Sequence, residues 1–343
     1  MLYRITVFVF ILLISSVKLF SNVAMPGFWD NGSGMDFFPL FAEDSVHLGK
    51  IQMKSERVVV LLFPGYAVVK GTYQMYNSAT EDIALTTAYP INGSYSQNIV
   101  HYVHLSDLYE LKIRVNGEVQ NTEKYFNDRP LNSIYNEYSG SEWYIWKTIF
   151  KGQQTTEITV NFIVNTNDAV LRKGYDTKKG NAFTYVLETG KAWKDKIESG
   201  TIEIYLQNGL KTSDIIGAIP ESTFLMNDTF LYYHFENLEP SPENNIVIWY
   251  EKKTEIDSFS SITQNAGKFF AQLDLISSAD SLASTLQKKL TANDFNVSQL
   301  GSKAVGLLFI LAIAAPFIIG GIILALIIYF AVKYYKRKGK TNE

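Results

Sequence analysis

The stretch "YAVVKGTYQMY", residues 66–76, alternates apolar and polar side chains, and this alternation decides the fold class. On an extended strand, Val69 and Tyr73 would share one face and the polar residues would share the other. A period of two is typical of half-buried antiparallel strands. The same alternation recurs in "TEITVNFIV", residues 156–164, and in "TIEIYL", residues 201–206.

Turn residues separate these runs. Asn116-Gly117 lies between two strand-like segments and predicts a hairpin, and Pro64-Gly65 predicts another turn. No helical crossover lies between the runs, so a parallel sheet is not expected. The sequence therefore predicts a mainly β protein: one or two antiparallel β-sandwich domains, followed by an amphipathic helical stalk and one transmembrane helix.

The N-terminus has the anatomy of a secretory leader. Arg4 is followed by a largely apolar run over residues 5–17 and then by small residues at Ser21 and Ala24. The apolar run is too short to span a bilayer. We predict a signal peptide over residues 1–24.

The C-terminus carries an uncharged run of 29 residues, 304–332, which is long enough to cross a bilayer as a helix. A basic tail, residues 333–343, follows it and is expected to stay in the cytoplasm. The sequence therefore predicts a single-pass protein of the cell membrane, with its N-terminal domain outside, periplasmic or at the cell surface. The predicted anchors at the membrane interface are Tyr329, Lys333, Tyr334, Tyr335, Lys336, Arg337 and Lys338.

Between the two ends, four segments are distinguished by composition and period. They are a flexible N-terminal segment (25–44), a first β-sandwich domain (45–170), a second β-sandwich domain (171–255) and a helical juxtamembrane region (256–303). In the last of these, apolar residues recur every three or four positions as far as Leu290. This apolar stripe could pack on the sandwich, associate with itself as a stalk, or lie on lipid.

Composition excludes several classes of function. The exterior part is acidic once the leader and the basic tail are set aside, which argues against nucleic acid as a partner. The chain has no cysteine, which excludes thiol nucleophiles, Cys-zinc sites and iron–sulfur clusters and suits a bacterial envelope protein. No cofactor and no metal site are expected.

Known catalytic motifs are absent. Gly190-Lys191 lacks the earlier glycine and the following Ser or Thr of a phosphate-binding loop, so Gly190 is interpreted as a turn residue with Trp193 anchored beneath it. No nucleophile elbow occurs, and the chain shows no catalytic residues. Two carboxylates brought together by distant strands, as glycoside hydrolysis requires, stay a possible alternative.

The aromatic run "EWYIWK", residues 142–147, is the one candidate binding surface. On a strand, Trp143 would face one side while Tyr144 and Trp146 face the other. Such a strand is either buried on both faces or bears an exposed aromatic platform that could bind sugars or proteins.

Two segments carry a set of motif positions. The first runs from residue 44 to residue 91 and the second is "FTYVLETGKAWKDKI", residues 183–197. The positions are Ile51, Met53, Glu56, Asn77, Tyr89, Pro90, Tyr185, Leu187, Thr189, Gly190 and Trp193. In these positions the chain resembles a family of bacterial extracytoplasmic proteins known as domain of unknown function 4424. The resemblance implies secretion and a β-rich fold, and it implies no activity.

These observations favour a non-catalytic binding or scaffolding component of the bacterial envelope. A membrane-anchored hydrolase of envelope carbohydrate or peptide is the alternative, and a sensor subunit that signals through an associated membrane protein is a further one. The expected partners are the lipid bilayer, through one helix, and a protein of the envelope. Self-association through the stalk or the span is also considered.

Overall fold

The structure is a computed structural model. It describes residues 27–30, 36–39, 42–47, 49–90, 93–94, 104–105, 108–126, 142–167, 169–173, 176–220, 223–252, 259–278, 286–292, 295 and 300–339. The predicted signal peptide, residues 1–24, lies outside these residues and stays a prediction.

Strands make up most of the described chain. In order they are β1 (Gly27–Asp30), β2 (Asp36–Pro39), β3 (Ile51–Phe63), β4 (Tyr66–Asn77), β5 (Ile83–Pro90), β6 (Gly93–Ser94), β7 (His104–Leu105), β8 (Tyr109–Val115), β9 (Glu118–Val119), β10 (Glu123–Phe126), β11 (Glu142–Phe150), β12 (Thr155–Asn165), β13 (Ala169–Lys173), β14 (Asp176–Tyr185), β15 (Ile197–Leu206), β16 (Ile215–Ile219), β17 (Leu225–Met226), β18 (Phe230–Leu238), β19 (Ile246–Tyr250) and β20 (Lys288–Lys289). The prediction of a mainly β fold is confirmed.

Helices are fewer and lie mostly in the C-terminal part. The α-helices are α1 (Phe259–Thr263), α2 (Ala266–Ser278) and α3 (Leu300–Gly339). Short 3-10 helices cover Ala42–His47, Glu188–Ala192, Thr212–Asp214 and Pro242–Asn244.

The strands form one large sheet and several smaller ones. The large sheet has nine strands in the order β20-β17-β18-β15-β3-β4-β12-β8-β9. A four-stranded sheet has the order β13-β14-β19-β16, and a three-stranded sheet has the order β10-β11-β5. The large sheet contains strands from both segments that the sequence assigns to separate domains, and the two-domain division stays a prediction.

One pairing departs from the expected antiparallel arrangement. β15 runs parallel to β3, with Ser199 opposite Ser55 and Leu206 opposite Leu62. Parallel pairing was not expected because parallel strands are usually joined by a helical crossover, and the sequence shows no such helix between consecutive strands. Here the connection between β3 and β15 passes through many intervening strands, so the local sequence carries no sign of it.

The inner face of the large sheet holds the core. Val69 and Tyr73 are fully buried on it, as the alternation in residues 66–76 predicts. The smaller sheets supply the opposite side: Tyr89 of β5 packs on Phe162 of β12, with ring centroids 5.3 Å apart. This packing of sheets explains why one face of each strand is apolar.

The outer face of the large sheet is covered over part of its area by α1 and α2. The apolar cluster between the helices and the sheet contains Val59, Leu61, Phe63, Tyr66, Val68, Ile163, Ile262, Ala266 and Leu273. Of the three alternatives for the apolar stripe, the structure therefore shows packing on the sheet.

The helical pattern does not continue as far as Leu290. α2 ends at Ser278, and residues 286–292 are not helical but include β20, which pairs with β17. Leu286 and Leu290 are buried all the same. Apolar spacing alone could not distinguish a helical stripe from an extended segment that buries some of its side chains.

The described chain divides into two units. The first comprises the described residues within 1–171 and 179–296, and the second comprises those within 172–178 and 297–343. Within the second unit, Val305–Lys333 is a helical segment of 29 residues that is long and apolar enough to cross a membrane. The prediction of one C-terminal helix with this property is confirmed.

Candidate functional site

A groove on the outer face of the large sheet is a concave site formed by described residues. It lies where three neighbouring strands, β4, β3 and β15, run side by side, and its volume is about 310 Å³. We call it the polar groove. Its lining residues are Ser55, Glu56, Arg57, Thr72, Gln74, Ser199, Gly200 and Thr201.

The strand register explains how the lining side chains come together. Arg57 on β3 lies opposite Thr72 on β4 and opposite Thr201 on β15. Ser55 is flanked in the same way by Gln74 and Ser199. Because side chains two positions apart share a face of a sheet, these two cross-strand rows point to the same side.

Four hydroxyl groups of the groove are available for a ligand. They belong to Ser55, Thr72, Ser199 and Thr201, which are all half-buried. Within the described part of the chain, none of these hydroxyls makes a hydrogen bond to the protein. A hydroxyl group is both a donor and an acceptor, so the groove presents both functions from three strands.

Arg57 joins the groove to the end of α2. Its Nε donates to Glu203 Oε1 at 2.9 Å and its Nη2 to Glu203 Oε2 at 3.3 Å. Its Nη1 donates to the carbonyl of Ser277, in the last turn of α2, at 2.6 Å. Each terminal nitrogen carries a second N–H, so the guanidinium keeps donor capacity beyond these three bonds.

Glu203 is buried and fully engaged. Its Oε2 also accepts a hydrogen bond of 3.0 Å from the hydroxyl of Tyr205. Burial, together with the negative charge of Glu203, raises the pKa of the Tyr205 hydroxyl. The same two causes raise the pKa of Tyr232, which lies opposite Glu203 on β18. The Glu203 carboxylate therefore neutralises the positive charge of Arg57.

A pair of rings lies next to the groove. His234 is directly opposite Thr201 on β18, and its ring stacks against that of Tyr232 with centroids 6.4 Å apart. His234 Nε2 is 3.4 Å from Glu236 Oε1. The side of the groove formed by β18 thus offers an exposed aromatic edge beside the hydroxyl groups.

Several carboxylates lie around the groove. Gln74 Nε2 donates to Glu157 Oε2 at 2.9 Å, and Glu236 lies opposite Ser199. Together with Glu203, these residues make the local field unfavourable to an anion. Among the described residues, no three His, Asp or Glu side chains come together as a metal site requires.

The residues of the predicted aromatic surface lie elsewhere, on β11. β11 is the central strand of the three-stranded sheet, and Trp143 and Trp146 expose only 5% and 4% of their surfaces. Of the two alternatives, the structure shows burial for both indoles. Tyr144 is half-buried, and the Lys124 ammonium lies 5.2 Å from its ring centroid. Ligand binding at Tyr144 stays a prediction.

The predicted interface anchors lie at the end of α3. The Lys333 ammonium is 5.7 Å from the ring centroid of Tyr329, one helical turn earlier. Tyr334, Tyr335, Lys336, Arg337 and Lys338 continue the same helix, and their side chains are outside the described part of the structure.

Behind the groove, on the inner face, lies a buried cluster of polar residues. The hydroxyls of Tyr73 and Tyr185 are 2.9 Å apart, and Glu56 is 2% exposed. Burial, followed by the charge of Glu56, raises the pKa values of both tyrosines. Glu56 and Tyr185 come from the two separate segments that carry the family resemblance, so the fold brings those segments together.

Gly190 and Trp193 lie at the turn that the sequence suggested. The 3-10 helix Glu188–Ala192 connects β14 to β15, with the Gly190 N–H donating to the Leu187 carbonyl at 2.9 Å. Trp193 is buried against Phe150, with ring centroids 6.4 Å apart. The segment is a structural turn between strands.

Sequence reasoning missed the polar groove. Ser55, Ser199 and Thr201 appear in the sequence as ordinary polar positions of alternating strands. They become neighbours only through the parallel pairing of β3 with β15. The sequence near Ser199 and Thr201 carries no signal that would have found the groove.

No protein-family model matches the chain, and no curated protein sequence does. Solved structures that resemble it include a provisionally assigned nutrient binding protein from Legionella pneumophila, with a TM-score of 0.43 and 14% identity over 69% of this chain and 72% of that one. An M1 zinc metallopeptidase from Deinococcus radiodurans has a TM-score of 0.31 and 8% identity, over 59% of this chain and 43% of that one. Yeast LTA4 hydrolase in complex with bestatin has a TM-score of 0.33 and 8% identity, over 60% of this chain and 30% of that one.

The chain therefore spans less than half the length of the two enzymes that it resembles. All three TM-scores are below 0.5, so these likenesses carry no argument about function. The interpretation of the groove rests on its own geometry.

Proposed function

We propose that the chain is a single-pass, membrane-anchored binding or scaffolding protein of the bacterial envelope. In this proposal the strand-rich first unit, which we call the β unit, lies outside the membrane, and residues 333–343 lie in the cytoplasm. The observation that carries it is the helix Val305–Lys333, which is long and apolar enough to cross a membrane. An apolar surface of this extent needs lipid or another protein around it.

The length of the helix supports a full span. At 1.5 Å per residue, 29 residues extend about 44 Å, which exceeds the roughly 30 Å hydrocarbon core of a bilayer. Lys333 ends the apolar segment and is followed by the basic tail, which supports the orientation that we propose.

The chemistry of the polar groove supports binding over hydrolysis. A hydrolase of the kind considered above would need two available carboxylates across a cleft. Glu203 is held by Arg57 and Tyr205, and Glu56 belongs to the inner polar cluster with Tyr73. Beside the groove, Glu157 accepts a hydrogen bond from Gln74, and Glu236 Oε1 is 3.4 Å from His234 Nε2. The groove instead presents hydroxyl groups, which suit recognition.

We also propose which surface serves association. The apolar face of α2 packs on the sheet, so a stalk formed by that face is not part of the proposal. We propose that the chain self-associates through the membrane span. We propose that an envelope partner binds to the exposed surface of the β unit.

Kinship with the family of domain of unknown function 4424 is a further proposal. It is supported by the burial of the resembling positions. Asn77, for example, donates from Nδ2 to the carbonyls of Glu81 and Phe150 and accepts from the Ala79 N–H. Roles of this kind are structural, which fits a family without a known activity.

Gentle solubilisation of the full chain from its native membrane, followed by cross-linking and identification of what co-purifies, tests the proposal. We expect a reproducible partner protein. The matched control is the same chain with residues 305–333 replaced by an unrelated membrane span. If neither form captures a partner above background, the scaffolding proposal is wrong.

A further inference from the structure

The polar groove contains hydrogen-bonding groups that the fold itself does not use. Within the described residues, the hydroxyls of Ser55, Thr72, Ser199 and Thr201 make no bond to the protein, and Arg57 keeps unused N–H groups. A volume of about 310 Å³ is at the lower end of the range of small-molecule sites. The volume of the groove and its unused hydrogen-bonding groups together suit a small polar molecule.

The charges around the groove select against an anion. Glu203 neutralises Arg57, and Glu157 and Glu236 stand beside Gln74 and Ser199. A negatively charged ligand would meet these carboxylates without an uncompensated cation to oppose them. A neutral ligand avoids that repulsion, and it does not have to displace Glu203 from Arg57.

The position of the groove also selects against a peptide. A peptide gains most when it adds a strand to a free sheet edge, where backbone groups are unpaired. β3 lies between β4 and β15 in the middle of the sheet, with its backbone paired on both sides. A ligand on this face must therefore be recognised through side chains alone.

The ring pair of exposed His234 and half-buried Tyr232 is the last feature of the groove. His234 and Tyr232 border the groove beside Thr201, on the side of β18. A ring face offers apolar contact to C–H groups, while the neighbouring hydroxyls bond to polar groups of the same molecule. Sugars combine these two features on one small ring.

We propose that the polar groove binds a neutral carbohydrate, held by Ser55, Thr72, Ser199, Thr201 and Arg57 and bordered by His234. This proposal deepens the proposed binding function and rests on it. The ligand lies across the three central strands, with its hydroxyl groups toward the two cross-strand rows and one C–H face toward the ring pair.

Saturation-transfer NMR on the full chain tests the proposal, in a detergent without a sugar headgroup. The probes are glucose, N-acetylglucosamine, glucuronate and tetraglycine. We expect both neutral sugars to bind and glucuronate to bind at least about tenfold more weakly. Ser199→Ala with Thr201→Val removes two hydroxyls at nearly constant shape and should weaken sugar binding about tenfold.

Thr155→Val, at an exposed threonine of the same sheet outside the groove, is the matched control and should leave sugar binding unchanged. Thermal unfolding of each variant shows whether it is folded. The proposal is overturned if neither neutral sugar binds, or if the double variant binds as well as the wild type. It is also overturned if the wild type binds tetraglycine and the double variant loses that binding while it still binds the sugars. A partner that still co-purifies in those cases leaves the proposed function standing.

Discussion

The hydroxyl of Tyr250 donates a hydrogen bond of 2.9 Å to the carbonyl of Phe63. Tyr250 ends β19 in the four-stranded sheet, and Phe63 ends β3 in the nine-stranded sheet. The same hydroxyl accepts from the Gly65 N–H at 3.2 Å and is 2.6 Å from Thr166 Oγ1. One phenol therefore joins the two sheets at the turn between β3 and β4.

The burial of this hydroxyl makes the stability of the folded state fall at alkaline pH. Burial raises the pKa of Tyr250 from 10.0 to about 12. A raised pKa in the folded state means that the contribution is complete below pH 10 and is lost as the pH rises toward 12, by on the order of 2 kcal/mol. Tyr250→Phe should lower stability at neutral pH by about 1–3 kcal/mol and flatten this alkaline loss.

Chemical unfolding across that pH range, with tyrosinate absorbance as a second signal, measures the effect. Tyr76→Phe, at a half-buried tyrosine of β4, is the matched control for the loss of one tyrosine hydroxyl. A Tyr250→Phe profile as steep as that of the wild type would contradict the assignment.

The ion pair between Arg57 and Glu203 should be worth more than the exposed pairs. Glu203 is 1% exposed. Arg57→Met would leave the Glu203 carboxylate buried without a cation beside it, which should lower the free energy of unfolding by about 3 kcal/mol or more. Lys151→Met breaks a pair whose members are 57% and 50% exposed and should cost less than about 1 kcal/mol. Urea unfolding compares the two variants, and equal effects would argue against the buried pair.

The packing of α2 on the sheet is tested by two leucines of the same helix. Leu273 is fully buried, whereas Leu275 is 73% exposed. Leu273→Ala should destabilise the protein by about 2–5 kcal/mol, and Leu275→Ala should change stability by less than about 0.5 kcal/mol. Similar effects of the two substitutions on thermal unfolding would instead support a helix that does not pack on the sheet.

Two glycines give opposite expectations. A Cβ at Gly200 would lie 2.0 Å from the ring of Phe235, so Gly200→Ala should cost about 1–3 kcal/mol. A Cβ at Gly267 in α2 would meet nothing within 4 Å, so Gly267→Ala should stabilise the helix by about 0.5–1 kcal/mol. Phe235→Leu should relieve part of the Gly200→Ala penalty, and a strictly additive double variant would contradict the clash.

Local patterns predicted the local structure well. Asn116 and Gly117 both have positive φ, 49° and 84°, at the turn between β8 and β9, as the Asn-Gly hairpin signal predicts. The alternation in residues 66–76 predicted which side chains are buried on the inner face, because facing depends only on the period of the strand. Both inferences need information from a few neighbouring residues.

Long-range pairing could not be predicted in the same way. Ser55 and Ser199 become neighbours through a parallel pairing, which no turn or crossover signal near either residue indicates. Val68 and Ile163, on the face expected to be polar, are buried because α2 covers them. The groove follows from where that cover ends, near Ser277, which depends on the whole fold.

The proposed function requires that the β unit lies outside the membrane and that α3 anchors it there. The chain contains no cysteine, so single substitutions give unambiguous labels. Ser213→Cys places a thiol at an exposed position of the β unit, and Thr341→Cys places one in the tail. A membrane-impermeant maleimide is applied to intact bacterial cells whose outer membrane, where present, admits small reagents. We predict that the thiol at position 213 is labelled in intact cells and that the thiol at 341 is labelled only after lysis. Labelling of position 341 in intact cells, or protection of position 213, would contradict the account.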